Sequence, residues 1–263
     1  MVGRFRDPWI SIGYHKKLLL SGWAQKKHEH LELSVLQQAD KIIVTSKGTK
    51  NEFKQKTVQP IYVVTNGFDT VEFENVILDE KFSVAHIGSL LSERNPINLW
   101  KAIASLIEEN KDFETAFELK LAGTISETIL GSLYSLGLKK YTNILGYVSH
   151  KKAQVLQRQS QLLLLIEINS AETNMIIPGK LFEYLQSNRP ILAVGPKGAD
   201  FKAILEETET GVFYEYHEVE LIKTHLLHCF NLFKKGNLIV TPKNINQFTR
   251  KSLTGQLAAI IKE

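Results

Sequence analysis

The segment Ile177-Pro178-Gly179-Lys180-Leu181-Phe182-Glu183-Tyr184-Leu185, followed by Arg189-Pro190-Ile191-Leu192-Ala193-Val194, decides the fold. Proline lacks an N–H and holds φ near −65°, so it suits the first turn of a helix, where leading N–H groups have no intrahelical partner. The stretch therefore reads as a loop, one short helix, a turn and a buried strand. A loop feeding a helix N-terminus is a ready site for an anion such as a diphosphate. Glu183, about a turn further in, is placed to accept hydrogen bonds from sugar hydroxyls. The same pattern also opens ordinary helices in α/β proteins, so the neighbouring sequence has to arbitrate.

From about Ser83 onward, short apolar runs alternate with helix-period segments. Ser83-Val84-Ala85-His86-Ile87-Gly88 reads as a strand, and Pro96 to Glu108 as a helix with Leu99, Ile103 and Leu106 on one face. The strand Leu119-Lys120-Leu121-Ala122-Gly123 precedes a helix from Glu127 to Leu136. Asn143-Ile144-Leu145-Gly146 precedes a helix from Lys151 to Gln159. Leu162-Leu163-Leu164-Leu165-Ile166 is continuously apolar, as a strand buried on both faces should be. After the Pro178 helix and the Ile191 strand come a helix from Ala199 to Glu207 and a strand at Gly211-Val212-Phe213-Tyr214. This alternation predicts βαβ units and a parallel sheet, with ligands at the carboxyl ends of the strands.

Composition bounds the class. The 263 residues suffice for one large domain, or for one domain and part of another. Hydrophobic content of 43% is that of an ordinary globular chain. No apolar run reaches the ~20 residues that span a bilayer, and the polar start Met1 to Asp7 is not a signal peptide. A single cysteine, Cys229, excludes an internal disulfide and a cysteine metal cluster, and fits a reducing compartment. The net charge of +4 permits an anionic ligand or lipid surface but does not call for nucleic acid. The eight histidines lack metal-ligand spacing, so no metal is expected. No Walker A loop, Gly-x-Gly-x-x-Gly or Gly-x-Ser-x-Gly motif occurs.

The beginning is different. Asp40-Lys41-Ile42-Ile43-Val44-Thr45-Ser46 and Ile61-Tyr62-Val63-Val64-Thr65 read as strands, and Arg4-Phe5-Arg6-Asp7-Pro8-Trp9 as a strand end running into a loop. Residues 1–60 supply too few strands to close a sheet of their own. The expectation is a remnant of an N-terminal domain over 1–75, a Rossmann-like domain over 76–240, and a C-terminal helix over 241–263 that packs back on the first part. Phe248, Leu253, Leu257 and Ile260 or Ile261 lie on one side of that helix, drawn from about Ile245 to Lys262.

Taken together, the sequence resembles the C-terminal half of a GT-B glycosyltransferase, specifically of glycosyltransferase family 4. The resemblance rests on motifs in order: Ala39 to Ser46, Thr65-Asn66-Gly67-Phe68-Asp69, His86-Ile87-Gly88-Ser89-Leu90 with Glu93-Arg94-Asn95, Leu121-Ala122-Gly123, Leu145-Gly146-Tyr147-Val148-Ser149, and Pro178 to Ala193; the N-terminal Arg6-Asp7-Pro8-Trp9 is similar to a segment of bacterial members. It implies an α/β fold of GT-B type: a Rossmann-like parallel sheet flanked by helices, beside a partial second Rossmann-like domain. It also implies retaining transfer of a sugar from a UDP- or GDP-sugar to an acceptor hydroxyl, with no cofactor, in cell-envelope polysaccharide or glycoconjugate synthesis. The setting would be cytoplasmic, with a sugar or lipid-linked acceptor.

The resemblance assigns roles residue by residue. Arg94 and Lys180 would neutralise the donor diphosphate, where charge develops as the glycosidic bond breaks. Gly88 and Ser89 would let the backbone approach the phosphates, and Pro178 and Gly179 would shape the loop above them. Glu183 matches the second glutamate of the family's pair and would bind the ribose hydroxyls; otherwise it pairs with Lys180 as a surface ion pair. The first glutamate would fall on Met175, which is a departure; Glu172 can substitute, as can Asn174 or Asn169. Tyr147 and Val148 would line the nucleobase pocket, or simply pack a strand end.

The basic segment His15-Lys16-Lys17-Leu18-Leu19-Leu20, with Trp23, Lys26 and Lys27, can rest on anionic lipid at the inner membrane face or be an ordinary solvated helix. The family's catalytic histidine and glycine-rich acceptor loop would precede Met1, so the chain is expected to bind nucleotide but turn over weakly. A sugar-nucleotide epimerase of the same fold, or a non-catalytic nucleotide-binding subunit, are the competing expectations.

Overall fold

The computed structural model describes residues 1–71 and 76–263. The first part contains β1 (Val2–Phe5), α1 (Gly13–Lys16), α2 (Gly22–Gln38), β2 (Lys41–Val44), α3 (Lys47–Phe53) and β3 (Ile61–Val63). The strands form a parallel sheet in the order β1-β2-β3. The third strand is Val2–Phe5, which the sequence suggested only as a strand end. The basic segment divides because Ser21 caps α2, its side chain accepting from the Ala24 N–H. The expected boundary after residue 75 falls on residues 72–75, outside the described residues.

The second part runs β4 (Phe82–Ile87), α4 (Ile97–Glu109), α5 (Lys111–Ala116), β5 (Phe117–Ala122), α6 (Glu127–Ser135), β6 (Thr142–Gly146), α7 (His150–Gln159) and β7 (Leu162–Ile166). It continues with α8 (Gly179–Leu185), β8 (Ile191–Gly195), α9 (Phe201–Thr208), β9 (Gly211–Glu215), α10 (Val219–Lys234) and α11 (Arg250–Lys262). Its six-stranded sheet is parallel throughout, in the order β6-β5-β4-β7-β8-β9. The predicted final helix is broken: Ile245–Phe248 forms a 3-10 turn, then extended Thr249 caps α11 by accepting from the Ser252 N–H.

β4 and β7 form the middle of the larger sheet and are buried along their whole length. One face packs on α4, α5 and α10 through Trp100, Ile103, Phe113 and Phe230; the other packs on α8 and α9 through Leu181, Phe182, Leu185 and Phe201. At about 1.5–3 kcal/mol for each fully buried large apolar side chain, these layers dominate stability. α11 returns to the smaller sheet, where Leu253 clusters with Ile43 and Val64. The two parts also meet where the Gly48 N–H donates to Asp200 Oδ2 (2.6 Å) and where Lys17 pairs with Glu93. Among the described residues, no helix is long and apolar enough to cross a membrane.

Because the strand order reverses between β4 and β7, a crevice is expected outside their carboxyl ends. The pairing shows how it opens. β4 pairs with β7 only at Val84↔Leu162 and Ala85↔Leu163, whereas β4 stays with β5 through Ile87↔Ala122 and β7 with β8 through Ile166↔Val194. Past Ala85 the two central strands part, and side chains take over the ladder. His86 Nδ1 lies 3.1 Å from the Leu164 carbonyl. The buried Tyr184 hydroxyl, reaching from α8, accepts from the Ile87 N–H (3.0 Å) and donates to the Ile87 carbonyl (3.3 Å).

Glycines pin the loops beside this opening. Gly123 has φ 119°, and a Cβ there would lie 2.7 Å from the Gly88 carbonyl carbon and oxygen. Gly123→Ala combines a strained backbone with a collision against main chain that cannot swing aside. We expect it to lower the free energy of unfolding by about 2–3 kcal/mol, at unchanged m-value, in urea titrations. A change below about 0.5 kcal/mol would show that the two loops do not touch tightly.

Candidate functional site

A cleft of about 600 Å³ lies at the parted ends of β4 and β7. β4 contributes Ser89 just beyond its end, β7 contributes Ile166, Glu167 and Ile168, and the segment into α8 contributes Ile176 to Lys180. The smaller sheet closes the other side with Arg6, Asp7, Ile12 and Gly13. Most of the residues expected from sequence meet here: Ser89, Arg94, Glu172, Pro178, Gly179 and Lys180 all line this cleft, and Gly88 abuts it.

Arg94 sits in the 3-10 turn Ser92–Arg94. Its position is fixed by Asn95, which accepts from buried Trp100 Nε1 (2.9 Å) and donates to Ser132 Oγ (2.8 Å). Arg94 Nε (3.2 Å) and Nη2 (3.0 Å) both donate to Glu167 Oε1. That oxygen also accepts the Ile168 N–H at 2.8 Å, so the Glu167 carboxylate is held by three donors while almost fully buried. The ion pair spans the switch point and orients the guanidinium, whose remaining donors are available to the cleft.

Lys180 stands in the first turn of α8 with Nζ 3.0 Å from His86 Nε2. Burial holds the His86 imidazole neutral, well below its ordinary value, with the nearby Lys180 charge acting in the same direction. The Leu164 carbonyl can only accept, so the single imidazole proton is on Nδ1 and Nε2 accepts from Lys180. Burial, then the Arg94 charge, lowers Lys180 to about 8. Gly88 has φ 123° and lies under this ammonium: a Cβ there would be 2.9 Å from Lys180 Nζ.

Glu172, in the turn Ala171–Thr173, brings its carboxylate to the smaller sheet, with Oε2 2.8 Å from where a Cβ on Gly13 would stand. Met175 packs on Gly48 and lines neither this cleft nor its neighbour. Asn174 and Asn169 do not line them either.

Glu183 is on another side of α8. Its oxygens lie 3.3 Å from His150 Nε2 and 3.0 Å from Gln157 Nε2, and it faces an adjoining cleft of about 590 Å³. The clefts share Gly179 and Arg6. Lys180 and Glu183 therefore serve neighbouring compartments rather than bonding to one another. Tyr147 joins neither: Gly146, at φ 62°, turns the chain at the end of β6, and the Tyr147 ring is 91% exposed. Val148 packs on the core beside α8.

Two site residues escaped sequence reasoning. His86 is a single imidazole inside an apolar strand, and Glu167 is the first charge after a run buried on both faces. Among the described residues no cluster of three or more His, Cys, Asp or Glu is arranged to hold a metal. Four cations (Arg6, Lys17, Arg94, Lys180) and four carboxylates (Asp7, Glu93, Glu167, Glu172) line the cleft among the described residues; at its switch-point end Arg94 is fixed by Glu167 and Lys180 is desolvated. Chemically, this is a site for a compact anion.

No family model matches the sequence, and no curated protein matches it. Among solved structures the chain is similar to sucrose-phosphate synthase from Thermosynechococcus elongatus, at TM-score 0.68 and 14% identity over 99% of this chain and 67% of that one. It is similar to Anabaena HepE, solved in complex with UDP, at TM-score 0.72 and 15% identity over 99% of this chain and 71% of that one. WaaG, a glycosyltransferase involved in lipopolysaccharide biosynthesis, matches at TM-score 0.67 and 12% identity over 96% of this chain and 73% of that one. The fold is GT-B. The chain spans about two thirds to three quarters of the length of these three structures, and about half that of TarM.

A buried lysine has a measurable cost. Its folded value, about 8, lies below the ordinary 10.5, so the folded state binds fewer protons between these values and stability rises with pH across that window. The penalty is full below about pH 8 and gone above pH 10.5. Lys180→Met should therefore raise stability at pH 7 by about 1–3 kcal/mol, with the advantage shrinking toward pH 10. Thermal unfolding at both pH values checks this; equal or lower stability of the variant at pH 7 would contradict it.

Proposed function

We propose that this chain binds a nucleotide-sugar and belongs to a glycosyltransferase that moves the sugar to an acceptor hydroxyl. The observation that carries this reading is the pair Arg94 and Lys180 at the parted ends of β4 and β7, one clamped by Glu167 and the other desolvated. The similar HepE and the pneumococcal O-GlcNAc transferase GtfA were both solved with UDP, and TarM was solved with UDP and α-GlcNAc-glycerol. These neighbours support a UDP-sugar donor, with GDP-sugar as the other choice.

In this reading the diphosphate lies between Arg94, Lys180 and the backbone at Gly88 and Ser89, and the ribose hydroxyls reach Glu183. The bond between the anomeric carbon and the β-phosphate oxygen breaks, and its electron pair leaves with the nucleoside diphosphate. Arg94 and Lys180 stabilise the charge that gathers there. The acceptor oxygen bonds to the anomeric carbon on the face the phosphate leaves, and its proton passes to that departing phosphate; same-face entry gives retention. Binding this dianion raises the proton affinity of Lys180, so the ammonium is fully charged when the leaving group forms. In this reading Glu172, which lines the same cleft, meets the sugar or acceptor. No metal is needed for this charge balance. A role in cell-envelope glycoconjugate synthesis, cytoplasmic and peripheral to the inner membrane, follows the resemblance to family 4 and is part of the proposal. The smaller sheet, β1 to β3, acts as acceptor-side support in this proposal.

Calorimetric titration with UDP, GDP and ADP tests the reading. One nucleotide is expected to bind, with Arg94→Ala and Glu183→Ala each weakening it about 10- to 100-fold. Absence of binding by all three, or binding indifferent to both substitutions, would overturn the assignment.

A further inference from the structure

The cleft has a second polar wall that the diphosphate does not use. After β1 the chain passes through Arg6-Asp7-Pro8-Trp9, and this loop is anchored at several points. Fully buried Glu32 accepts from the Trp9 N–H (3.1 Å) and the Ile10 N–H (3.3 Å), and is itself held by Lys56 at 2.7 Å. Thr45 Oγ1 donates to the Arg6 carbonyl, and Ser11 Oγ donates to Glu52 Oε2 at 2.6 Å. The loop is thus fixed, and it carries the Asp7 carboxylate into the cleft opposite Arg94 and Lys180.

Asp7 is half-buried, yet among the described residues it makes no hydrogen bond; its one ionic contact is Arg6 Nε at 4.0 Å. Burial raises its carboxyl above the ordinary value, with Arg6 opposing the rise. A carboxylate in this state does not stabilise the fold at neutral pH. Its acceptor oxygens want hydroxyl or N–H donors, and a sugar in this cleft presents hydroxyls. Among the other described charges lining the cleft, Arg94 is held by Glu167 and Lys17 by Glu93, whereas Asp7 has only Arg6 at 4.0 Å.

From this geometry we infer that Asp7 accepts hydrogen bonds from hydroxyls of the transferred sugar and thereby selects the donor's glycosyl group. The inference rests on the donor-binding reading above. It makes Asp7 a specificity residue of the smaller sheet, distinct from the phosphate-binding pair.

The test is calorimetric titration of the full chain with UDP, UDP-glucose, UDP-N-acetylglucosamine, GDP and GDP-mannose, as wild type, Asp7→Asn and Asp7→Ala. For one nucleotide-sugar, affinity should exceed that of its bare nucleotide. Asp7→Ala should abolish that excess, weakening the sugar-bearing ligand about 10- to 100-fold, and Asp7→Asn, which keeps one acceptor oxygen, should lose less. The bare nucleotide should bind all three proteins within about twofold, and neither variant should melt below the wild type at pH 7. If nucleotide and nucleotide-sugar weaken together, or the excess survives in Asp7→Ala, or the wild type shows no excess, the role of Asp7 is refuted while the nucleotide site stands. If no nucleotide binds at all, the donor reading falls and takes this inference with it.

Discussion

The parting of β4 from β7 after Ala85 is the constraint on which the rest of the site depends. Parallel strands normally continue their ladder until one ends, and here the ladder stops while both strands run on. The main-chain groups left over are taken up by His86 on Leu164 and by Tyr184 on Ile87. Both substitutes are fully buried, so the bonds are shielded from water and their loss would leave buried groups unpaired. Tyr184 also belongs to α8, so the bond that holds the strands open docks the helix carrying Lys180 and Glu183. His86 in turn offers its Nε2 to Lys180. Strand separation, helix placement and ammonium position therefore form one linked arrangement.

Charge is managed by the same arrangement. Arg94 is oriented by a carboxylate that is nearly fully buried, whereas Lys180 leans on a neutral imidazole that cannot compensate its charge. One cation is satisfied and rigid; the other is left wanting an anion. A folded protein has no reason of stability to keep such a lysine, just as it has none to keep the Asp7 carboxylate on the facing wall, raised by burial and only weakly offset by Arg6. On the proposed reading, a ligand with an anionic end and a hydroxyl-rich end would offset both costs.

Much of the larger sheet was legible because its strands are apolar throughout and its helices amphipathic; the run Leu162–Ile166 and the Pro178 to Val194 stretch announce themselves. Arg94, Lys180 and Glu172 were singled out through the resemblance, and the structure sets all three on one cleft. The splitting of the last helix was written in Thr249, a capping residue, but the apolar periodicity across it is continuous and concealed the break. Glu167 and His86 were not legible, because their meaning lies in contacts with Arg94, 73 residues away, and Lys180, 94 residues away. Tyr147 was assigned to the nucleobase pocket, or to packing a strand end, by the resemblance alone; the structure leaves its ring exposed just after Gly146, whose φ is positive. Asp7 was visible only as part of a motif; the anchoring of its loop by Glu32, Thr45 and Glu52 required the fold.

The central claim is that the opening between β4 and β7 receives a diphosphate. A crystal structure of the chain with UDP tests it most directly. The account requires the β-phosphate within hydrogen-bonding distance of Arg94 and Lys180, beside the Gly88 backbone, with the ribose directed toward Glu183. A nucleotide seated elsewhere with Arg94 and Lys180 untouched, for example along Arg4 and Arg250 in the adjoining cleft, would contradict it.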